Sequence, residues 1–255
     1  NINIRFIGSE YGIESNLYKD RIEKSYLIKI KGLKRNLQFS NILYNFFILP
    51  INCLLAIIKV NKIYNQFLPD IVIGTGGYSS AIPLFVARFR KIKIIIQEQN
   101  AIPGLVNRLF LKVAYKVCFG FKSIEKSNKF INTGNPTFIK STDNNFINTK
   151  ILNNNEKFTI FILGGSQGSV PINKHFIKNY KKYIKMGVQL IWQCGHNNLS
   201  NIKNIIKYND VYLCGFIKPA DMPHYYNKAD LVISRAGALT LSELANFNIP
   251  SILIP

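Results

Sequence analysis

Acidic residues are scarce. The 255 residues include 13 Asp and Glu against 33 Lys and Arg, a formal net charge of +20 at pH 7. Such an imbalance draws a protein towards nucleic acid, anionic lipid or a negatively charged substrate. Lys is interleaved with Ile and Asn along the whole chain rather than gathered in a block, which is the mark of a global compositional bias. There is no zinc-finger, RNP-type or basic-zipper pattern, and the aromatics sit inside apolar runs, so nucleic acid is not an expected partner. Cysteine is equally sparse. Cys53, Cys118, Cys194 and Cys214 show no paired spacing, which excludes a disulfide framework and a zinc site and fits a reducing cytoplasm. His175, His196 and His224 lack metal-ligand spacing, so no metal and no cofactor is expected.

A long unbroken apolar span is also missing. Residues 41–60 form the most apolar window, but Asn45, Pro50 and Asn52 interrupt it, and Lys59 closes it short of the roughly 20 apolar residues of a spanning helix. The window reads as a Pro-broken helix lying on a core or on a bilayer surface, with Lys29, Lys31, Lys34 and Arg35 beside it. No signal peptide opens the chain, because Asn1-Ile-Asn-Ile-Arg5 has neither a basic n-region nor an apolar block. There is no starting Met, and Pro250-Ser-Ile-Leu-Ile-Pro255 reads as a strand without a following helix. The expectation is a fragment cut at both ends.

What is present is a repeated grammar of apolar strand, small-residue turn and helix, with 47% hydrophobic residues to build a core. Strands are expected at residues 1–8, Tyr26–Ile30, Asp70–Ile73, Lys93–Ile96, Phe158–Leu163, Val188–Gln193, Val211–Leu213 and Ala229–Ile233. Helices are expected from about Ile82, over Leu105–Ala114, from Pro171 with Ile172, Phe176, Tyr180 and Ile184 inward, over Asp221–Asn227 and at Leu244–Phe247. Strands that are apolar throughout and alternate with helices predict parallel sheets covered on both faces, an α/β fold. The polar stretch between Gly134-Asn-Pro136 and Lys157 predicts a boundary, with a first domain over 1–137, a linker over 138–157 and a second domain over 158–255.

In such sheets ligands gather at the carboxyl ends of the strands. Gly74-Thr-Gly-Gly-Tyr78 and Gln97–Asn100 lie at that edge in the first half, and Gly164-Gly-Ser-Gln-Gly168, Phe216-Ile217 and Arg235–Glu243 in the second. The loop at Gly164–Gly168 is neither a P-loop nor a G-x-G-x-x-G fingerprint. It reads either as a phosphate cradle built from backbone N–H groups and Ser166 or as a plain strand-to-helix turn. Ala238–Glu243 reads either as a helix start capped by Thr240 or Ser242, with Glu243 as dipole partner, or as an anion site whose carboxylate accepts from a hydroxyl pair. In combination these stretches suit a nucleotide: phosphate cradle, base platform and ribose clamp on one sheet edge.

The motifs Asp70-Ile-Val-Ile-Gly-Thr-Gly-Gly-Tyr, Gln97-Glu-Gln-Asn-Ala-Ile-Pro-Gly-Leu-Val-Asn107, Gly134-Asn-Pro, Leu163-Gly-Gly-Ser-Gln-Gly and Arg235-Ala-Gly-Ala-Leu-Thr-Leu-Ser-Glu-Leu, in this order, resemble those of the MurG family. These are the peptidoglycan N-acetylglucosaminyltransferases that convert lipid I to lipid II. The resemblance implies a GT-B fold, two doubly wound Rossmann-like domains facing a cleft, here truncated at both ends. It implies UDP-N-acetylglucosamine as donor and undecaprenyl-linked lipid I as acceptor, and inversion by direct displacement without an obligatory metal. By position Glu243 would bind the ribose hydroxyls, Ser166 with Leu239, Thr240, Leu241 and Ser242 the pyrophosphate, and the Ile217 backbone the uracil with Phe216 beside it. Ala238 and Asn100 would touch the sugar, while Gly76, Gly77 and Tyr78 would form a cleft loop towards the acceptor.

Departing UDP would be stabilised by prearranged N–H dipoles. The family's first strand and His-bearing Gly-rich loop have no counterpart, which leaves the catalytic base unassigned and predicts binding without turnover. Phe138 stands where the family has Arg, and Gln97 where it usually has His. The resemblance also places residues 41–60, with Arg88, Arg90, Lys91 and Lys93, against the anionic cytoplasmic leaflet of the bacterial inner membrane as a peripheral contact. The other readings are a different GT-B enzyme, such as a glycolipid glycosyltransferase or a UDP-N-acetylglucosamine 2-epimerase, and a basic non-enzymatic binding protein.

Overall fold

The computed structural model describes residues 2–12, 14–18, 24–34, 36, 38–122, 127–137, 157–165 and 167–255. Ser166, Phe138 and Arg35 lie outside the described residues, as does the expected linker apart from Lys157. The chain divides into two compact units, Asn1–Asn135 and Pro136–Pro255.

The first unit runs β1 (Phe6–Ser9), α1 (Glu14–Leu17), β2 (Ser25–Ile28), α2 (Phe39–Leu43), α3 (Leu49–Phe67), β3 (Ile71–Gly74), α4 (Ala81–Phe89), β4 (Lys93–Glu98), α5 (Leu105–Phe110), β5 (Lys116–Phe119) and β6 (Phe130–Asn132). Every strand pairing is parallel, in one sheet of order β1-β2 and another of order β3-β4-β5-β6. Parallel neighbours need crossovers; α4 supplies the one between β3 and β4, while α3 leads from one sheet to the other. Ala56, Val60 and Ile63 of α3 share a core with Leu84 and Ala87 of α4, Ile94 and Ile96 of β4, and Ile28 of β2.

The apolar window differs from its expected form. Pro50 does not break the helix. A π-helical turn over Tyr44–Ile48 joins α2 to α3, and Pro50 stands in the first turn of α3. A proline lacks the N–H an interior position needs, and the wider turn before it accommodates the change of register. The helical run therefore spans Phe39–Phe67, long and apolar enough by length and composition to cross a membrane, although Val60, Ile63 and Tyr64 on its inner side are buried in the core. Leu68 in the left-handed region ends it.

The second unit runs β7 (Thr159–Leu163), α6 (Val170–Lys185), β8 (Gln189–Gln193), α7 (His196–Ile205), β9 (Val211–Cys214), α8 (Met222–Lys228), β10 (Leu231–Arg235), α9 (Ala238–Phe247) and β11 (Ser251–Ile254). All five strands are parallel, in the order β11-β10-β7-β8-β9. The two-residue period of a strand sorts their side chains onto two faces. Ile160, Ile162, Leu190 and Trp192 pack with Ile172, Phe176 and Tyr180 of α6 and Ile202 of α7. Phe161, Leu163, Ile191 and Val232 pack with Tyr225 and Tyr226 of α8 and Leu244 and Phe247 of α9. Both faces being covered explains why β7 and β8 read as apolar runs rather than alternations.

The sheet winds outward from β7 in both directions, through β8 and β9 on one side and β10 and β11 on the other. The switch point lies between β7 and β10, and the crevice at their carboxyl ends is where such a sheet takes a ligand.

Candidate functional site

The loop after β7 is fixed from below. Gly168 has φ +80°, and a Cβ there would collide with the Cys194 carbonyl, while one on Gly195 (φ +90°) would strike the Gln167 backbone. The loop and the turn after β8 thus interlock at a spacing only glycine permits. Asn173 of α6 secures the same turn: its Nδ2 donates to the Cys194 carbonyl at 2.9 Å, and its Oδ1 accepts from Trp192 Nε1 at 3.0 Å.

A cavity of about 300 Å³ opens at the switch point, lined by residues that include Leu163, Gly165, Gln193, Phe216, Ile217 and Glu243. Its floor adds Tyr226 and Ser234, and its rim Arg235, Gly237 and Thr240. Four residues expected in a nucleotide site, Phe216, Ile217, Thr240 and Glu243, therefore line one cavity. Phe216 is 41% exposed at the lip, its ring 5.8 Å from that of His196, and Ile217 is buried behind it. The Ile217 N–H already donates to Gln193 Oε1 at 2.9 Å, which leaves its carbonyl as the backbone group to offer a ligand. Gln193 Nε2 donates in turn to the Gly165 carbonyl at 3.1 Å, so one buried carboxamide ties the loop after β7 to the Phe216-Ile217 segment.

Helix α9 begins earlier than expected. Its N-cap is Gly237, in an extended conformation and without a side-chain cap bond, so neither Thr240 nor Ser242 caps it. Ala238-Leu-Thr-Leu241 propagates a helix well enough to start it directly after the strand. Leu239 and Thr240 consequently stand in the first turn, where N–H groups have no carbonyl of their own helix to bond and the dipole is positive. Ser242 Oγ turns back to the Ala238 carbonyl at 3.1 Å. Ala238, Leu239, Leu241 and Ser242 are not among the cavity-lining residues. Glu243 lies beyond the first turn, and its Oε2 accepts from the Tyr226 hydroxyl at 2.8 Å. Burial, and then the Glu243 carboxylate, push the Tyr226 hydroxyl well above its usual pKa, so it is a donor across the physiological range.

The expected residues of the first unit form a separate cluster. Gly76 and Gly77 have φ of +89° and +74°, and Tyr78 opens a 3-10 turn over Tyr78–Ser80, with its ring over Gly32. At the end of β4, Glu98 is 1% exposed and accepts four hydrogen bonds. Oε1 takes the Asn100 N–H at 2.8 Å and Asn100 Nδ2 at 3.1 Å, and Oε2 takes the Gly104 N–H at 2.9 Å and Asn107 Nδ2 at 2.8 Å. Asn100 is thereby oriented by a buried carboxylate. Among the described residues no group of His, Cys, Asp and Glu is arranged to hold a metal ion.

The pattern of the glycosyltransferase family 28 C-terminal domain matches residues 159–255, and that of the N-terminal domain of the same family residues 1–119. The "UDP-N-acetylglucosamine--N-acetylmuramyl-(pentapeptide) pyrophosphoryl-undecaprenol N-acetylglucosamine transferase" of Flavobacterium psychrophilum is 36% identical over all of this chain and 70% of its own length. The chain belongs to glycosyltransferase family 28. The enzyme of the same name from Carboxydothermus hydrogenoformans is 33% identical, again over all of this chain and 70% of its length. Among solved structures, Acinetobacter baumannii MurG is similar with a TM-score of 0.69 and 26% identity, covering 98% of this chain and 69% of that one. A UDP-N-acetylglucosamine 2-epimerase matches at a TM-score of 0.62 with 12% identity, a likeness of fold alone. The fold is that of the GT-B glycosyltransferases, built from two parallel-sheet α/β halves.

Gln193, Tyr226, Ser234 and Arg235 are lining residues that the sequence reading left out of the family's donor site. Arg235 stands inside a recognised motif, at the end of β10 and just before the N-terminus of α9, where a positive charge is a usable signal. Gln193 and Tyr226 gave none, because each acts through a residue 24 or 17 positions away.

Proposed function

We propose that this chain is a UDP-N-acetylglucosamine-dependent N-acetylglucosaminyltransferase of peptidoglycan synthesis, acting on the lipid-linked muramyl pentapeptide. The observation that carries this is the 36% identity along the whole chain, through both halves, to an enzyme of that name. The second unit supports the donor half. In this reading the Ile217 carbonyl accepts from the uracil N3–H, Phe216 packs on the base, and Glu243 accepts from the ribose hydroxyls. The first turn of α9, with Arg235 beside it, faces the diphosphate, together with Ser166 and Ser242 as the resemblance assigns them.

As the glycosidic bond breaks, negative charge grows on the departing diphosphate. Fixed N–H dipoles and a guanidinium aimed at it lower the barrier without a bound metal. In the first unit, the resemblance assigns Asn100 to the sugar and Gly76, Gly77 and Tyr78 to the acceptor.

The acceptor's lipid anchor implies a membrane surface, and the proposed place is the cytoplasmic face of the inner membrane. The outer side of the Phe39–Phe67 helical run supports this, since Phe46 is 73% exposed, Phe47 66%, Ile51 60% and Leu54 59%. A contiguous apolar face of this kind marks an interaction surface. Lys34, Lys59, Lys62 and Arg90 lie beside it in the chain or hydrogen-bonded to it, Arg90 through Asn61, and a basic residue near an anionic leaflet contributes about 1 kcal/mol.

Competition against labelled UDP tests the donor assignment: UDP-N-acetylglucosamine should displace it at lower concentration than UDP-galactose, and a preference for UDP-galactose would assign a different transferase. Failure of UDP to bind at all would overturn the reading. Passage of label from UDP-N-acetylglucosamine into extracted lipid I tests the acceptor.

A further inference from the structure

Glu243 has two carboxylate oxygens in different situations. Oε2 accepts the Tyr226 hydroxyl proton at 2.8 Å, whereas Oε1 has no hydrogen-bond partner among the described residues. Tyr226 itself is 1% exposed, wedged between the rings of Phe161 at 5.7 Å and Phe247 at 5.0 Å. Its hydroxyl has no room to swing, so the bond fixes the plane of a carboxylate that hangs from three rotatable side-chain bonds. The free oxygen is left with the cavity that both residues line.

We propose that Tyr226 is a positioning residue for the donor ribose: it holds Glu243 by one oxygen so that the carboxylate meets the vicinal diol already oriented. The inference rests on the proposed reading of Glu243 as the ribose contact and adds what makes that contact selective. A flexible glutamate on an exposed helix face would lose side-chain freedom on each binding event, about 0.5–1.5 kcal/mol in similar cases. Tyr226 removes that loss in advance. It also withdraws part of the carboxylate's charge from the neighbourhood of the diphosphate, since a hydrogen-bonded oxygen repels a nearby anion less than a bare one.

The test is Tyr226→Phe, which deletes one hydroxyl and keeps the ring packing, with Kd measured for UDP and for 2′,3′-dideoxy-UDP. UDP is expected to bind about fivefold more weakly to the variant, within the range of ordering one flexible side chain, and 2′,3′-dideoxy-UDP less than twofold more weakly. Equal losses for both ligands would make Tyr226 a merely structural residue and overturn the inference. Loss of neither would do the same. Should Tyr226→Phe fail to fold because the carboxylate is stranded, the double variant Tyr226→Phe/Glu243→Ala is compared with Glu243→Ala alone. Equal UDP affinity is expected, and a further loss in the double variant would refute positioning through Glu243. If the parent chain binds UDP but discriminates neither ligand nor variant, the inference fails while the transferase reading stands. If the parent chain binds no UDP, both fall.

Discussion

Glu98→Gln is the sharpest perturbation of the first unit, because it changes one oxygen into an amino group and almost nothing in volume. Four N–H groups point at the Glu98 carboxylate, two at each oxygen. A glutamine has one acceptor, so in either orientation two of the four donors face an NH2 group. Asn100 is exposed and Asn107 is 2% exposed, so the lower-cost choice keeps the carbonyl towards Gly104 and Asn107 and lets the Asn100 donors turn to water. The two retained bonds lose their charge assistance, about 1 kcal/mol each, and the two exposed ones about 0.5 kcal/mol each.

Against this total of about 3 kcal/mol stands relief of the desolvation of a buried carboxylate. With four donors already replacing water around it, relief is the smaller effect, and a net destabilisation of about 2 kcal/mol is expected. In urea the midpoint of the first unit's unfolding should fall by about 1 M. Because Asn100 is the group set loose, binding of UDP-N-acetylglucosamine should weaken several-fold while UDP is unaffected. A Glu98→Gln variant as stable as the parent would show that burial of the charge costs more than its four bonds return, and the ordering role assigned to it would be wrong.

Gln193→Met keeps the length of the side chain but strands the buried Ile217 N–H and frees the Gly165 carbonyl. About 2–3 kcal/mol of stability should be lost in the second unit, with weaker UDP binding, and an unchanged urea midpoint would contradict the tie between loop and platform. The buried hydroxyls of Tyr64, Tyr225 and Tyr226 are all raised above the usual value of 10.0, chiefly by burial. The unfolded chain therefore releases these protons first, and the stability they contribute is complete below pH 10 and declines as pH rises above it. The decline is about 1.4 kcal/mol per tyrosine per pH unit, so equal urea midpoints at pH 9 and pH 11 would refute the burial of these groups. Phe46→Glu with Phe47→Glu should abolish co-flotation with vesicles of anionic lipid at low salt and leave UDP binding intact; retained flotation would move the membrane contact elsewhere.

Much of the fold was legible because strands covered on both faces leave an unmistakable apolar signature, as β7 and β8 do. Short elements were not. β5 and β6 escaped notice since Lys116–Phe119 and Phe130–Asn132 are brief and contain polar residues, and α7 since it carries a single fully buried side chain, Ile202. The start of α9 was misplaced for a different reason: Thr240, Ser242 and Glu243 have the composition of a capped helix start, but composition does not say whether a helix has already begun. Gly237 at the strand end had begun it.

That displacement alters the chemistry more than the boundary. A cap at Thr240 or Ser242 would direct a hydroxyl at the helix's own N–H groups and satisfy them. With Gly237 as N-cap, neither Thr240 nor Ser242 is spent on capping, and the first turn keeps the positive end of the dipole towards an anion. Glu243, in the second turn of α9, is far enough along the helix to be held by Tyr226 of α8 rather than by the dipole. The same ten-residue helix can then present positive N–H groups at its tip and a carboxylate on its flank. Phosphate and diol are opposite demands, and in the proposed donor site their separation along one helix, with Glu243 held by a buried tyrosine from the neighbouring helix, would let a single element meet both.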